Sequence, residues 1–260
     1  MAFIAMPIIV LKKRRIMCSS IAMKTPYGLQ VIESCLTCPL MKDRIFCNLP
    51  RHVIAELDAI SSAATYPKDA ILFVEGQAPR GVFVLCTGRV KLSTSSADGK
   101  SIIARIAESG EIVGLVSTLT GKEYELTAEV LEPLQANFIP RDAFMQFLRE
   151  HGEAALRVAE ILSNIYRSTL MEIRYLGLSS STTEKLARFI LDLPATQAAD
   201  NTRVRVTLSL THREIGEIIG ASRETVTRLF THFKREGLIE VHGSTLVLSS
   251  KLRLEKLLEG

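Results

Sequence analysis

Thr211-His-Arg-Glu-Ile-Gly-Glu-Ile-Ile-Gly220, followed after Ala221 by Ser222-Arg-Glu-Thr-Val-Thr-Arg-Leu-Phe-Thr-His-Phe233, is the stretch whose reading decides the fold. Its first half is a short helix. Thr211 and Glu214 have capping-box spacing, in which hydroxyl and carboxylate each satisfy a backbone N–H that the helix leaves unpaired. Ile215, Ile218 and Ile219 recur at helical spacing and form its buried face. Gly220 supplies the positive φ of a tight turn. Ser222 is the N-cap of a second helix, buried through Val226, Leu229, Phe230 and Phe233. Helix, glycine turn, helix is the arrangement that lays a second helix in the DNA major groove.

The outward residues of that second helix are Arg223, Glu224, Thr227 and Arg228. Arginine grips guanine O6 and N7 with paired hydrogen bonds, and glutamate accepts from cytosine N4. The helix N-terminus also favours phosphate. Candidate DNA-binding residues are therefore Thr211, Ser222, Arg223, Glu224, Thr227 and Arg228. Gly237 ends the helix, and Leu238 to Leu248, turning at His242-Gly243-Ser244, reads as a β-hairpin wing.

Upstream, Thr182 to Leu193 reads as a helix stopping before Pro194, and Gly177 to Ser181 as a hinge. Arg141 to about Leu178 holds one long helix or two joined pieces. Ala155, Ala159, Leu162, Tyr166, Thr169, Ile173 and Leu176 alternate four and three apart, the seam of a coiled coil, widened by Val158, Ile161 and Ile165. The helix either packs on its own domain or pairs with a second copy, and the length of the seam favours pairing.

From Ala70 to Pro140 the pattern is short β-runs: 71–74, 82–85, 90–93, 102–105 and 128–131, with Asp98-Gly99 as a hairpin signal. Such strands imply a rolled or closed β-domain. Residues 51 to about 65 read as a helix broken by Pro67.

Net charge is only +4, so any basic footprint must be local. The apolar run Met1 to Leu11 is too short to span a membrane, and the basic cluster Lys12 to Arg15 follows it, the wrong order for an export signal. A cytoplasmic location with no membrane partner is expected. Residues 1–22 differ from the rest, and Met17 or Met23 is an alternative start. In such a compartment Cys18, Cys35, Cys38, Cys47 and Cys86 point to metal or redox chemistry before disulfides. Neither a phosphate-binding Gly-rich lysine loop, a zinc HExxH pair nor a GxSxG elbow is present, and the histidines are scattered, so no enzyme is expected.

The stretch 211–228, with Gly88-Arg-Val90, Asp98-Gly-Lys100, Gly110-Glu-Ile-Val-Gly114 and Ile139-Pro140, resembles the CRP/FNR family of transcription regulators over about residues 50–250. The resemblance implies an α+β chain. It has a cyclic-nucleotide-binding-type β-roll, a long dimerisation helix and a C-terminal winged helix-turn-helix. The expected division is residues 1–50 as an extension with the cysteine cluster, 51–140 as sensor, 141–180 as dimerisation helix and hinge, and 181–260 as DNA-binding domain. It further implies a homodimer on an inverted repeat with TGTGA-like half-sites, working through RNA polymerase. The runner-up function is a ligand-binding β-roll protein without specific DNA binding.

Relatives that bind cyclic nucleotides carry a ribose-binding glutamate and a phosphate-binding arginine where this chain has Leu115 and Leu126, so cyclic AMP is not expected. Lys122 substitutes only if the loop is differently arranged. Cys35, Cys38 and Cys47 lie where FNR-like sensors hold a [4Fe-4S] cluster, although the gap between Cys38 and Cys47 is longer and Asn137 occupies the usual fourth-cysteine position. The fourth ligand is then Cys86, Cys18 or a residue other than cysteine. A zinc site, a thiol–disulfide switch, and simple packing of buried cysteines stay open beside it. The expected input is a redox, gas or small-ligand signal.

Overall fold

The structure is a computed structural model, and it describes residues 9–10, 27–29, 31–96, 98–99, 101–178, 181–193, 204–208 and 210–258. Cys18, both alternative starts and the polar loop at 195–202 lie outside the described residues, as do positions 179–180 of the hinge.

The elements run β1 (Ile9–Val10), α1 (Arg51–Ile60), β2 (Ser62–Tyr66), β3 (Ile71–Phe73), β4 (Gly81–Thr87), β5 (Val90–Ser95), β6 (Ser101–Ala107), β7 (Ile112–Val113), α2 (Leu115–Thr120), β8 (Thr127–Val130) and β9 (Leu134–Pro140). Then come α3 (Arg141–Glu150), α4 (Gly152–Leu178), α5 (Thr182–Asp192), β10 (Val204–Thr207), α6 (His212–Ile219), α7 (Arg223–Arg235), β11 (Ile239–His242), β12 (Thr245–Leu248) and α8 (Lys251–Lys256). Two single 3₁₀ turns, Cys35–Thr37 and Met41–Asp43, precede α1. The chain divides into two compact units, residues 1–99 with 104–165 and residues 100–103 with 166–260, so the division falls inside α4 rather than at the expected hinge.

The first unit holds two antiparallel sheets, one ordered β1-β2-β9-β4-β7 and one ordered β3-β8-β5-β6. Strand pleat sends alternate residues to opposite faces. From β4 and β9, Phe83, Leu85, Leu134 and Ala136 enter a core with Tyr66, Phe73, Val90 and Val130. Val82, Val84 and Ile139 enter a second core with Phe46, Ile54, Phe144, Phe147 and Val158. This double burial explains why the central strand Gly81–Thr87 is an unbroken apolar run. Each large apolar side chain fully buried contributes about 1.5–3 kcal/mol.

The helix expected to reach residue 65 ends at Ile60, and Ser62–Tyr66 is strand. Alanine at 63 and 64 favours helix locally. Pairing with β9 from Ser62↔Phe138 to Tyr66↔Leu134 overrides that preference. Residues 141–178 form two helices joined at His151, whose Nε2 lies 2.9 Å from Glu56 Oε2 and ties the joint to α1.

The seam on α4 divides. Val158 is buried and Ile161 and Leu162 pack against the protomer's own core. Farther along, Tyr166, Leu170 and Ile173 stand 65%, 46% and 62% exposed. In the second unit β10, β12 and β11 form an antiparallel sheet; the sequence reading assigned neither β10, where Val204, Val206 and Leu208 alternate with polar residues, nor α8.

Candidate nucleic-acid interface and cysteine cluster

The helix-turn-helix forms as its sequence dictates. The Thr211 N–H donates to Glu214 Oε2 at 2.7 Å and the Glu214 N–H to Thr211 Oγ1 at 3.2 Å, completing the capping box. Gly220 adopts φ 69°, and the Ala221 N–H donates to the Gly216 carbonyl at 2.8 Å. Ser222 Oγ accepts from the Thr225 N–H at 3.2 Å and starts α7. Ile215, Ile219, Val226, Phe230 and Phe233 are buried, which turns Arg223, Glu224, Thr227 and Arg228 outward, all exposed. Thr211 and Ser222 are also exposed, so the six expected residues share one helix-turn-helix as surface groups.

Thr227 has a second engagement that spacing did not reveal. Its hydroxyl donates to the Arg223 carbonyl at 2.9 Å, and His212 Nδ1 lies 2.9 Å from the same oxygen. One hydroxyl has one proton, so this pair of contacts assigns the Nδ1–H tautomer to His212. The His212 ring stacks on Phe230 at 4.8 Å and 19°. Burial, then Lys234 and Arg223, push the His212 pKa below the usual histidine range. Sequence pattern gives His212 no role beyond that of one scattered histidine; the structure makes it a brace between α6 and α7.

The interior of the β-roll is filled by aromatic rings. Tyr124 stacks on Phe73 at 4.0 Å, Phe73 lies 6.1 Å from Phe83, and Phe83 lies 4.9 Å from Phe138. The Tyr124 hydroxyl donates to the Gly81 carbonyl at 2.9 Å and accepts the Arg80 N–H at 3.1 Å. A Cβ at Gly114 would meet Tyr124 at 3.1 Å and Phe73 at 3.4 Å, so these rings lie against the start of the expected phosphate loop. Leu115 is buried and Leu126 half-buried, without carboxylate or guanidinium for a nucleotide.

Cys35, Cys38, Cys47 and Cys86 lie near enough to influence one another's ionisation, and Cys35 and Cys47 pack against the core that holds Val82, Val84 and Ile139. Asn137 lies between two of them. Its side-chain amide donates to the Cys35 sulfur at 3.2 Å, and it pairs with Val84, whose carbonyl accepts from the Cys86 thiol at 3.9 Å. The Cys35 N–H and the Ser34 hydroxyl are both held by Asp58, at 3.0 and 3.1 Å. Gln135 donates to the Ile32 carbonyl at 2.7 Å and accepts its N–H at 2.8 Å, clasping the N-terminal segment to β9.

Burial, then Asp58, Cys86 and Cys47, push the Cys35 thiol well above the usual range. Burial raises Cys47 to about 11, against the opposing pull of Arg44. Burial and then Cys47 raise Cys86 to about 12, with Arg44 opposing and Cys38 adding. Thiols held protonated are poor nucleophiles, which disfavours a fast disulfide switch. A metal reverses this, because a coordinated thiol gives up its proton. Among the described residues no three of these sulfurs lie within 4.8 Å of one another. A single zinc ion with Zn–S of ~2.3 Å needs sulfurs about 3.8 Å apart. The donor set of soft thiols, with an N–H donor on the Cys35 sulfur, fits a group larger than one ion.

Comparison with known proteins follows the same division. The cyclic nucleotide-binding domain family matches residues 63–151 and the Crp-like helix-turn-helix domain family matches residues 184–257. The chain is similar to the CRP-like cAMP-activated global transcriptional regulator of Mycobacterium tuberculosis, 24% identical over 220 residues, covering 84% of this chain and 97% of that protein. It is also similar to the regulatory protein HlyX of Actinobacillus pleuropneumoniae, 26% identical over 217 residues, covering 83% and 90%. Among solved structures, FixK2 from Bradyrhizobium japonicum superposes with a TM-score of 0.66 at 22% identity, covering 76% of this chain and 97% of that one. The c-di-GMP responsive regulator CLP of Xanthomonas campestris gives 0.67 at 18% identity, covering 76% and 99%; both likenesses concern the fold.

Proposed function

Because the chain belongs to the CRP/FNR family of transcription regulators, we propose that it binds an inverted-repeat DNA site as a homodimer and answers a redox or gas signal. The observation that carries the DNA reading is the N-terminal turn of α7. Arg223, Glu224 and Arg228 stand exposed there on a helix fixed by two caps and a left-handed glycine. Arg228 and Arg223 suit guanine and Glu224 suits cytosine, which leads to TGTGA-like half-sites. Thr211 and Ser222 sit at helix N-termini, where hydroxyls and N–H groups position phosphates. Thr227 spends its hydroxyl on the Arg223 carbonyl and His212, so it orients Arg223 rather than reading a base. The relatives are transcription regulators and not enzymes, and we extend to this chain their action through RNA polymerase.

For the sensor we propose an iron–sulfur cluster held by Cys35, Cys38 and Cys47 with a further ligand. When bound, such a group supplies chemistry that oxygen or nitric oxide destroys. The chain's own part is to hold the sulfurs under Asp58, Asn137 and Gln135, and to shield them with Phe46, Leu57 and Phe144. Cyclic AMP is not the effector in this reading, because Tyr124 and Phe73 occupy the roll. No helix among the described residues is long and apolar enough to cross a membrane, which agrees with a cytoplasmic regulator.

The test is fluorescence anisotropy with a TGTGA inverted repeat and a scrambled duplex. Wild type is expected to prefer the repeat. Arg228→Ala should cost about 1–3 kcal/mol on the repeat and little on the scrambled sequence. Equal loss on both overturns base reading by Arg228. No preference in wild type favours a β-roll protein without specific DNA binding.

A further inference from the structure

β4 carries a bulge at Cys86. Leu85 pairs with Ala136 and Thr87 with Gln135, so Cys86 is the extra residue of the ladder. Such bulges re-aim a side chain and break the local pairing. Here the Cys86 carbonyl receives Arg44 Nη2 at 2.6 Å and Ser109 Oγ at 3.0 Å. Its thiol donates to the Val84 carbonyl at 3.9 Å, and Val84 pairs with Asn137, whose side-chain amide holds Cys35. The bulge therefore delivers one roll cysteine to the N-terminal three.

Arg44 is the second observation. It is 7% exposed, and its guanidinium donates only to neutral acceptors, Cys86 O and Ser109 Oγ. Among the described residues it makes no ion pair with a carboxylate. A buried cation of this kind calls for an anion beside it. Cys86, whose carbonyl the guanidinium holds, is a group beside it that becomes anionic on losing its thiol proton. Asn137 is the third. It is 7% exposed, its amide nitrogen lies on the Cys35 sulfur, and its Oδ1 is buried without a hydrogen-bond partner among the described residues.

We infer that Cys86 is the fourth thiolate of a soft-metal centre shared with Cys35, Cys38 and Cys47, and that Arg44 is its buried counter-charge. The inference rests on the iron–sulfur reading above. Each thiol releases its proton to solvent on ligation, and the guanidinium offsets part of the negative charge that results. No electron transfer is needed to fill the site. The centre then joins the segment before α1 to the middle strand of the roll, through a residue whose carbonyl and sulfur are both held.

The test is anaerobic reconstitution of the full chain with ferrous iron and sulfide, reading iron and sulfide per chain and the visible spectrum. Wild type is expected to load fully. Cys86→Ala and Cys86→Val bracket the side-chain volume, and both should lose at least tenfold in bound iron with far-UV dichroism unchanged. Asn137→Cys added to Cys86→Ala should restore iron, since position 137 already reaches the Cys35 sulfur; restoration separates lost ligation from lost packing. Arg44→Met should load and then lose iron several-fold faster in air. Full iron in both Cys86 variants overturns this inference and leaves the iron–sulfur reading standing. Wild type that binds no iron overturns the reading itself. Wild type that holds zinc alone, lost in the Cys86 variants, supports the fourth ligand and overturns the occupant.

Discussion

His212 Nδ1 and Thr227 Oγ1 lie 2.9 Å apart, so the first turn of α6 braces the reading helix at the residue that also caps the Arg223 carbonyl. The ring is half-buried against Phe230, and its pKa falls below 6.5. The sign follows from linkage. As pH drops, the unfolded chain takes this proton before the folded one does, so the stability that comes with burying the neutral ring is present in full above about pH 6.5 and is lost progressively below it, while the Nδ1–H donor to Thr227 persists in both forms. In NMR of the full protein the His212 ring should titrate with a midpoint below the ordinary histidine value. His212→Gln should flatten the acid limb of the melting curve. A midpoint at or above the ordinary value would sink the brace.

Gly216 and Gly220 are required for different reasons. A Cβ at Gly216 would sit 2.5 Å from the Ala221 carbonyl oxygen, which is backbone and cannot swing away. At Gly220 a Cβ meets nothing within 4 Å, but φ is +69°. Gly216→Ala should therefore cost about 1–3 kcal/mol by overpacking and displace the turn, weakening DNA binding as well. Gly220→Asn should be tolerated and Gly220→Val should not, because Asn accepts the left-handed region. Urea melts and DNA titrations check both; a benign Gly216→Ala would show that the turn has slack.

The helix-turn-helix was legible because each of its constraints is local. A cap three residues from its partner, a glycine turn and a 3.6-residue apolar period all lie within one window, and each appears where expected. Residues 62–66 were misread because the partner that makes them strand, β9, lies about seventy positions away. The cysteine cluster was legible as a composition, not as a site. Nothing near Cys86 in sequence announces a bulge, and nothing near Arg44 announces that Cys86 O and Ser109 Oγ take its guanidinium. His212 was missed for the same reason, since its partner Thr227 belongs to the next helix.

The filled β-roll makes a direct forecast. Tyr124 is 3% exposed and fixed at both ends, by Phe73 on its ring and Gly81 at its hydroxyl. A ligand present at a hundred times its Kd stabilises by about 2.7 kcal/mol, enough to move a melting curve visibly. Millimolar cyclic AMP or cyclic GMP should leave both the melting temperature and the affinity for the inverted repeat unchanged. Leu115→Glu with Leu126→Arg should not create binding, since the rings remain. A clear thermal shift in wild type would show that Tyr124 gives way.

In the proposed homodimer, the exposed half of α4 is the surface through which two copies would pair. Tyr166, Leu170 and Ile173 follow one another by four and three residues and are all exposed. The seam read from sequence ran through Thr169 instead, which is exposed too. Two registers therefore compete, and they differ in whether 169 or 170 faces the partner. Leucine buries apolar area that threonine lacks, and full burial is worth about 1.5–3 kcal/mol per large side chain. Leu170→Glu should give monomers in sedimentation at micromolar concentration, whereas Thr169→Glu should leave most of the dimer. The monomer should also lose affinity for a two-half-site duplex far more than for a single half-site, because spacing of two reading helices one DNA turn apart needs the pair. Dimers that survive Leu170→Glu but not Thr169→Glu would restore the register drawn from the sequence.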